Sequence, residues 1–504
     1  RRKGVFCMRE RLVTLCSSFP DGLFIFACYD GGRKGAVGMS KRRRVAAALG
    51  IVLGVYVLLA ALPYAFPPAA ERAQAAFVPV EDGAAGDRAT LLTTGEEALA
   101  ARLNLIANAE SSLVVGSYLY ADDESGYAVA AALLDAADRG VKVRIVVDGL
   151  VGRLNFLGGD LGYALGTHEN IEIRLYNPVN LLAPWGLSAR FHEKYVIADG
   201  KTFVLGGRNI SDEFLTPEEH PAYNYDLDVL MWRETPAQGS AASLLTAYFD
   251  RLWDEECAPA YERAPAWREA GAARTQDELR SRWEAMETEY ARAIAPADWE
   301  ALTVPVEGCA LLTNPINPGV KEPALWTSLV ALMRSAEERV WIQTPYVVLD
   351  GAMRDGLRAA AEQAPEMVLL TNSRAGGNNI VASADAVFHR GMALSMPLAY
   401  YELQAPRSMH TKAMLVDGDI SVFGSFNFDM RSAYSDTEVM LAVKSEPLND
   451  RMEAYMLDMR ALALPVEADG GYGEGEAEAL DTPLLKNLLI VTASPLISLV
   501  RFLV

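Results

Sequence analysis

Two 18-residue frames of this chain carry the same sparse set of polar residues. His192-x-Lys194-x4-Asp199-x6-Gly206-Gly207-x-Asn209 recurs 218 residues later as His410-x-Lys412-x4-Asp417-x6-Gly424-Ser425-x-Asn427. The chain holds only five histidines in 504 residues, so two in identical frames point to a duplicated unit. In each frame, alternating apolar runs flank an Asp-Gly pair, Asp199-Gly200 and Asp417-Gly418, which predicts two strands joined by a tight turn. Alternation along a strand puts His192 with Lys194, and His410 with Lys412, on one face. Asp199 and Asp417 are read as turn formers, not as chemistry. Gly206-Gly207 and Gly424-Ser425 end the second strand where backbone must approach something closely, and Gly207 and Ser425 are assigned to a substrate phosphate pocket.

One such unit offers an imidazole, a cation and an amide. Two facing units offer what phosphodiester chemistry needs: one imidazole to attack phosphorus, a second to protonate the leaving alkoxide, and Lys194, Lys412, Asn209 and Asn427 around the non-bridging oxygens. Histidine titrates near working pH, so the two rings can exchange acid and base roles, and neither metal nor cofactor is expected. Downstream, Tyr225-Asp226-Leu227-Asp228-Val229 is matched with Ser435-Asp436-Thr437-Glu438-Val439. On that register Asp228 is expected to orient His192, and Glu438 to orient His410.

These residues carry a resemblance. The paired H-x-K-x4-D-x6-G-[SG]-x-N motif is the hallmark of the phospholipase D superfamily. Gly206-Gly207-Arg208-Asn209-Ile210-x-Asp212-Glu213-Phe214, Asp226-Leu227-Asp228-Val229-Leu230 and Asn427-Phe428-Asp429-x-Arg431-Ser432 are similar to the bacterial cardiolipin synthase branch, especially its C-type members. The likeness covers residues 86–465 and continues into the C-terminal tail. Departures are Gly207, where Ser is commoner, and His220, in a loop that varies in the family. The resemblance implies a phosphatidyl-histidine intermediate, passed to a lipid hydroxyl or to water.

The expected fold is α/β: two phospholipase D-like α-β-α sandwich lobes related by pseudo-two-fold symmetry, preceded by one transmembrane helix. The lobes are placed at 86–258 and 306–465, with a helical connector at 259–305 whose charges form a solvated face. Helices at 97–109 and 128–139 and strands at 112–120 and 142–147 have counterparts at 325–338, 353–363, 340–348 and 366–371. Because both motifs lie in one chain, a monomer is expected to function.

Lys41-Arg42-Arg43-Arg44 precedes about 20 apolar residues at 45–66, which at 1.5 Å rise per residue are long enough to cross a bilayer. Basic residues stay inside, which predicts a cytoplasmic N-terminus, a catalytic body outside the cytoplasm, and an uncleaved signal anchor in preference to a removed signal peptide. Residues 1–38 are read as an upstream extension of the reading frame. Cys257 and Cys309 have no metal-ligand spacing, and no disulfide between them is predicted.

Charge helps to choose the substrate. The formal net charge is −20, and eleven of the 46 basic side chains lie before residue 45, against three of the 66 acidic ones. So acidic a body disfavours a nucleic acid partner, whose backbone needs a basic groove. The expected partners are anionic glycerophospholipids and the membrane. After an acidic linker that begins at 466, the apolar segment at 484–504 is expected either to lie on a membrane surface or to pack back on the lobes. Residues 181–187 either line an acyl-chain entrance or form a core-packed loop. The sequence reading is therefore a membrane-anchored phosphatidyltransferase, in particular a cardiolipin synthase, with a hydrolytic phospholipase D or a metal-independent nuclease as alternatives.

Overall fold

The computed structural model describes residues 41–68, 86–261, 266–377 and 380–497. The expected upstream extension at 1–38 lies outside them. The helix Lys41–Ala65 contains an apolar stretch, Val45–Tyr64, long enough to cross a membrane. Among the described residues it is the one helix that meets that length.

The first half builds strands β1 (Arg88–Leu92), β2 (Ser112–Ser117), β3 (Lys142–Asp148), β4 (Ile171–Tyr176), β5 (Lys194–Ala198), β6 (Thr202–Gly206), β7 (Asp228–Trp232) and β8 (Val304–Pro305). They form one sheet in the order β4-β3-β2-β5-β6-β7-β1-β8. The second half supplies β9 (Gly308–Thr313), β10 (Arg339–Gln343), β11 (Val347–Val348), β12 (Glu366–Asn372), β13 (Ala399–Leu403), β14 (Ala413–Val416), β15 (Ile420–Gly424), β16 (Phe428–Asp429), β17 (Val439–Lys444) and β18 (Ala463–Pro465). Its large sheet runs β18-β13-β12-β10-β14-β15-β17-β9, so seven strands repeat the first sheet's order. β11 and β16 form a separate parallel pair. The expected two-lobed α/β architecture is present.

Each sheet buries one face under its own helices. In the first lobe Val115, Ile145, Val196 and Val204 pack beneath Leu103, Val129 and Leu133. In the second, Ile342, Leu369, Met414 and Val422 lie beneath Leu329, Met353 and Leu357. The other faces share a core: Tyr195, Phe203 and Val229 join Trp341, Leu415, Phe423 and Leu441, with Leu245, Phe249, Leu448 and Met452 from intervening helices. Burial of this continuous apolar seam holds the lobes face to face.

The motif aspartates do more than turn the chain. Asp199 and Asp417 adopt left-handed φ values of 52° and 53°, which aspartate tolerates. The carboxylate of Asp199 also accepts the backbone N–H groups of Glu110, Ser111 and Ser112, at 2.9, 2.8 and 3.0 Å. That of Asp417 accepts those of Glu337, Glu338 and Arg339, at 3.0, 2.8 and 3.0 Å. Each hairpin tip is thereby clamped to the start of the neighbouring strand.

The connector is no free-standing spacer. Its helix Glu269–Glu289 buries Leu279, Trp283 and Met286 in the first lobe's core. The C-terminal helix Leu484–Ile497 packs back on the second lobe along one side. Ile490 and Ser494 are buried, and the Ser494 hydroxyl donates to the carbonyl of Ala384 in the helix Ile380–Ala393, while Leu484, Leu485, Leu488, Leu489, Val491 and Leu496 stay exposed. In the loop at 181–187, Leu181 and Leu182 are exposed and Pro184 is buried. Cys257 and Cys309 are free thiols.

Candidate active site

Both motif histidines stand just before a strand, and backbone from the opposite lobe holds each one. Phe191 bridges Thr437, and the N–H of His192 donates to the carbonyl of Thr437 at 3.2 Å. In the mirrored arrangement Met409 bridges Tyr225, and the N–H of His410 donates to the carbonyl of Tyr225 at 2.7 Å. The residue after each bridging partner is an acid. His192 Nδ1 lies 2.9 Å from Glu438 Oε1, and His410 Nδ1 lies 2.7 Å from Asp226 Oδ2.

This corrects the sequence pairing in two ways. The acids cross between lobes, so Glu438 serves His192 and not His410. The acid of the first half is Asp226, not Asp228. Strand register shows why: Gly206 stands opposite Asp228, and its counterpart Gly424 opposite Met440, which makes Asp226 the equivalent of Glu438. The sequence match was slipped by two residues, and a slip of two keeps every side chain on its own face, so alternation alone does not reveal it. Asp228 instead closes a buried ion-pair cluster with Arg102 at 2.9 Å and Arg208 at 3.7 Å.

Gly207 and Ser425 also differ from expectation. Neither lines the cavity. A Cβ on Gly207 would meet Asp226 Oδ1 at 2.3 Å, so the missing side chain makes room for the carboxylate. Ser425 donates its hydroxyl to Glu438, as does Ser432 at 2.6 Å. Among the described residues Asp226 receives no such hydroxyl; besides His410 it accepts the N–H of Leu227 at 2.8 Å.

His192, His410, Asn209 and Asn427 line one cavity of about 500 Å³. Because each Nδ1 is engaged, Nε2 is the nitrogen left for a ligand. Tyr118 packs edge-on against His192, with centroids 4.9 Å apart, and Phe214 tilts against His410 at 4.8 Å. Asn209 Oδ1 accepts the N–H of Leu119 at 3.4 Å, while its amide N–H groups have no acceptor among the described residues. Lys194 and Lys412 sit behind the histidines, each ammonium donating to the carbonyl of its own motif histidine.

Burial shapes the charges. It lowers His192 well below the usual imidazole range, reinforced by Lys194 and Lys412. It also lowers His410, to about 4, aided by Lys412 and opposed by Asp226. Burial raises Glu438 well above the usual carboxyl range, against the pull of Lys194. It opposes ionisation of Asp226 too, but His410, Lys412 and Arg208 outweigh it and hold that carboxyl at about 2. The pairs are thus unlike. Asp226 stays a full anion beside His410, whereas burial pushes Glu438 toward its neutral form against the pull of Lys194 and two hydroxyl hydrogen bonds. The charge of Asp226 favours the protonated form of His410.

Burial also lowers Lys194 to about 8 and Lys412 to about 7. A depressed lysine is charged below its folded pKa and neutral above it. If the ammonium of Lys412 stabilises phosphoryl charge, kcat/KM falls as pH rises through about 7. Lys412→Arg is expected to carry that alkaline limb upward by about two units or more, since guanidinium stays charged. An unmoved limb in pH-rate profiles of the variant would exclude Lys412 as its source.

Sequence reasoning missed Asp226 as an orienting acid, Ser432, and the cavity-lining Tyr118, Glu213, Asn372 and Arg431. Glu213, Arg431 and Ser432 lay within the family-like stretches; nothing in the sequence marked Asn372.

The family model described as "Cardiolipin synthase, PLD-like domain" matches residues 103–253 and 329–460. The chain is 30% identical to cardiolipin synthase C of Escherichia coli K12 over 380 residues, covering 67% of this chain and 76% of that one. It is 28% identical to cardiolipin synthase A of Pseudomonas fluorescens over 284 residues, 56% of this chain and 49% of that one. The crystal structure of phosphatidylserine synthase from Haemophilus influenzae shares the fold, with a TM-score of 0.58 at 13% identity, over 82% of this chain and 95% of that one. Two matched segments, each carrying one histidine motif, place this chain in the phospholipase D-like, cardiolipin synthase-type family of enzymes.

Proposed function

We propose that the protein is a membrane-anchored phosphatidyltransferase that makes cardiolipin. The observation that carries this is the pair of imidazoles opening on one cavity, each with Nδ1 held by a carboxylate from the other lobe. His192, which burial and the two motif lysines keep neutral, attacks the donor phosphorus through Nε2. The P–N bond forms as the P–O bond to the headgroup breaks, and His410, protonated in the presence of the phosphate anion, gives its proton to the departing alkoxide. His410 then takes the proton of an incoming lipid hydroxyl. The new O–P bond forms as the P–N bond breaks, so the second step is the first run backwards with a different alcohol. Lys194, Lys412, Asn209 and Asn427 stabilise charge on the phosphoryl oxygens, and loss of one such donor costs roughly 3 kcal/mol in the barrier.

The helix Lys41–Ala65 anchors the chain, its basic flank cytoplasmic and the catalytic lobes on the other side. One chain carries both halves of the site, so a monomer suffices. Expression of the wild type in a bacterial host stripped of its own cardiolipin synthases is expected to restore cardiolipin, and His410→Ala to restore none. Accumulation of phosphatidic acid without cardiolipin would identify a hydrolase instead.

A further inference from the structure

The catalytic cavity has a neighbour of about 250 Å³, and Pro345, Tyr346, Asn372 and Ser383 line both. Two arginines stand in the neighbour's wall, and their circumstances differ. Arg390 grips the carboxylate of Glu402 with Nε and Nη2, at 2.6 and 3.1 Å, and Tyr472 adds a third bond to Glu402 at 2.7 Å. Its charge is answered from within the protein. Arg374 has no carboxylate within ion-pair distance among the described residues; its Nη1 donates to Asn487 Oδ1 at 2.7 Å, and Nε and Nη2 are uncommitted. In a chain of net charge −20, a cavity arginine without an acid is suited to an anion from outside. Thr371, on the same wall, is 3% exposed, and its hydroxyl has no partner among the described residues.

This wall is tied to one histidine. Asn372, two residues before Arg374, donates to the carbonyl of Met409 at 2.7 Å and accepts the N–H of Met409 at 2.7 Å, next to His410. It is also tied to an apolar surface. Lys486 donates to the carbonyls of Ala375 and Gly377, at 2.7 and 2.8 Å, which fastens the C-terminal helix to the loop carrying Arg374. That helix exposes Leu484, Leu485 and Leu488, and the helix clasped against it exposes Ile380 and Val381. Val381 lines the catalytic cavity as well.

We propose that the second cavity receives the phosphate of the acceptor lipid at Arg374. The ligand is an anionic glycerophospholipid with a free headgroup hydroxyl. Its phosphate pairs with Arg374, its hydroxyl passes Tyr346 and Asn372 to reach His410, and its acyl chains lie along the exposed leucines. This rests on the phosphatidyltransferase reading and names its second substrate. It also explains transfer over hydrolysis, because the acceptor hydroxyl is held where water otherwise stands.

The test uses the full-length protein in mixed micelles, with phosphatidyl-p-nitrophenol as donor and either phosphatidylglycerol or free glycerol as acceptor. Arg374→Gln is expected to raise the KM for phosphatidylglycerol about tenfold or more, the scale of a lost charge-assisted hydrogen bond. Release of p-nitrophenol and transfer to glycerol should stay within about twofold of wild type, and Arg374→Lys should recover part of the loss. An unchanged KM for phosphatidylglycerol overturns the subsite, as does a parallel loss with glycerol. A wild type that releases no p-nitrophenol overturns the underlying reading instead.

Discussion

His192→Ala is expected to lose both turnover and the covalent intermediate, whereas His410→Ala keeps the intermediate when the donor's leaving group needs no proton. The argument rests on the two unlike acid–histidine pairs. Burial, reinforced by Lys194 and Lys412, keeps His192 neutral, as a nucleophile must be, and burial also pushes its partner Glu438 toward the neutral form. Asp226 carries its charge to a single imidazole, which favours protonation of His410 once a phosphate anion is bound beside it. Removing a nucleophile costs on the order of 10⁶ in rate. Removing a general acid costs about 10² to 10⁴, and p-nitrophenolate leaves without one. Labelled phosphatidyl-p-nitrophenol should therefore mark wild type and His410→Ala, with slow release from the latter, and leave His192→Ala unmarked. Label on His192→Ala and none on His410→Ala would reverse the roles; equal label on both would refute a unique nucleophile.

Exchanging either aspartate of the Asp226-Leu227-Asp228 run should have opposite consequences. Asp228→Asn leaves the buried guanidinium groups of Arg102 and Arg208 without their anion. Breaking a buried ion pair in this way costs roughly 3–5 kcal/mol, read as a fall of several degrees in Tm. Asp226→Asn should leave Tm nearly unchanged and lower kcat by about 10² to 10⁴, the scale of a misoriented catalytic imidazole. Because Asp226 acts through His410, an activated leaving group should rescue the first step in Asp226→Asn and fail to rescue Glu438→Gln. A stable, inactive Asp228→Asn beside an active Asp226→Asn would restore the pairing first read from the sequence.

The duplicated frame, the strand–turn–strand reading of each motif and the two-lobed α/β fold were all legible in the residues, because periodicity, Asp-Gly turns and spacing are local properties. Strand 142–147 is observed as Lys142–Asp148 and helix 353–363 as Gly351–Gln363, whereas the expected strand 340–348 breaks into β10 and β11, which lie in different sheets. Most charges of the connector helix are exposed, as read, but the burial of Leu279, Trp283 and Met286 in the first lobe's core was not legible because charges outnumber them along the helix.

What a chain states about itself is which residues recur and which faces they occupy, so the histidines, lysines and asparagines of both motifs could be named with no coordinates. Which acid meets which imidazole could not. Crossing of the carboxylates arises from bridges between residues more than 180 positions apart, Tyr225 with Met409 and Phe191 with Thr437. Nor could Arg374 be placed in a cavity adjoining that of His410, since that arrangement depends on Asn372 gripping Met409. Local pattern sets the identity and facing of the parts; packing of one lobe against the other sets their partners, because hydrogen bonds are formed by proximity in space and not by position along the chain.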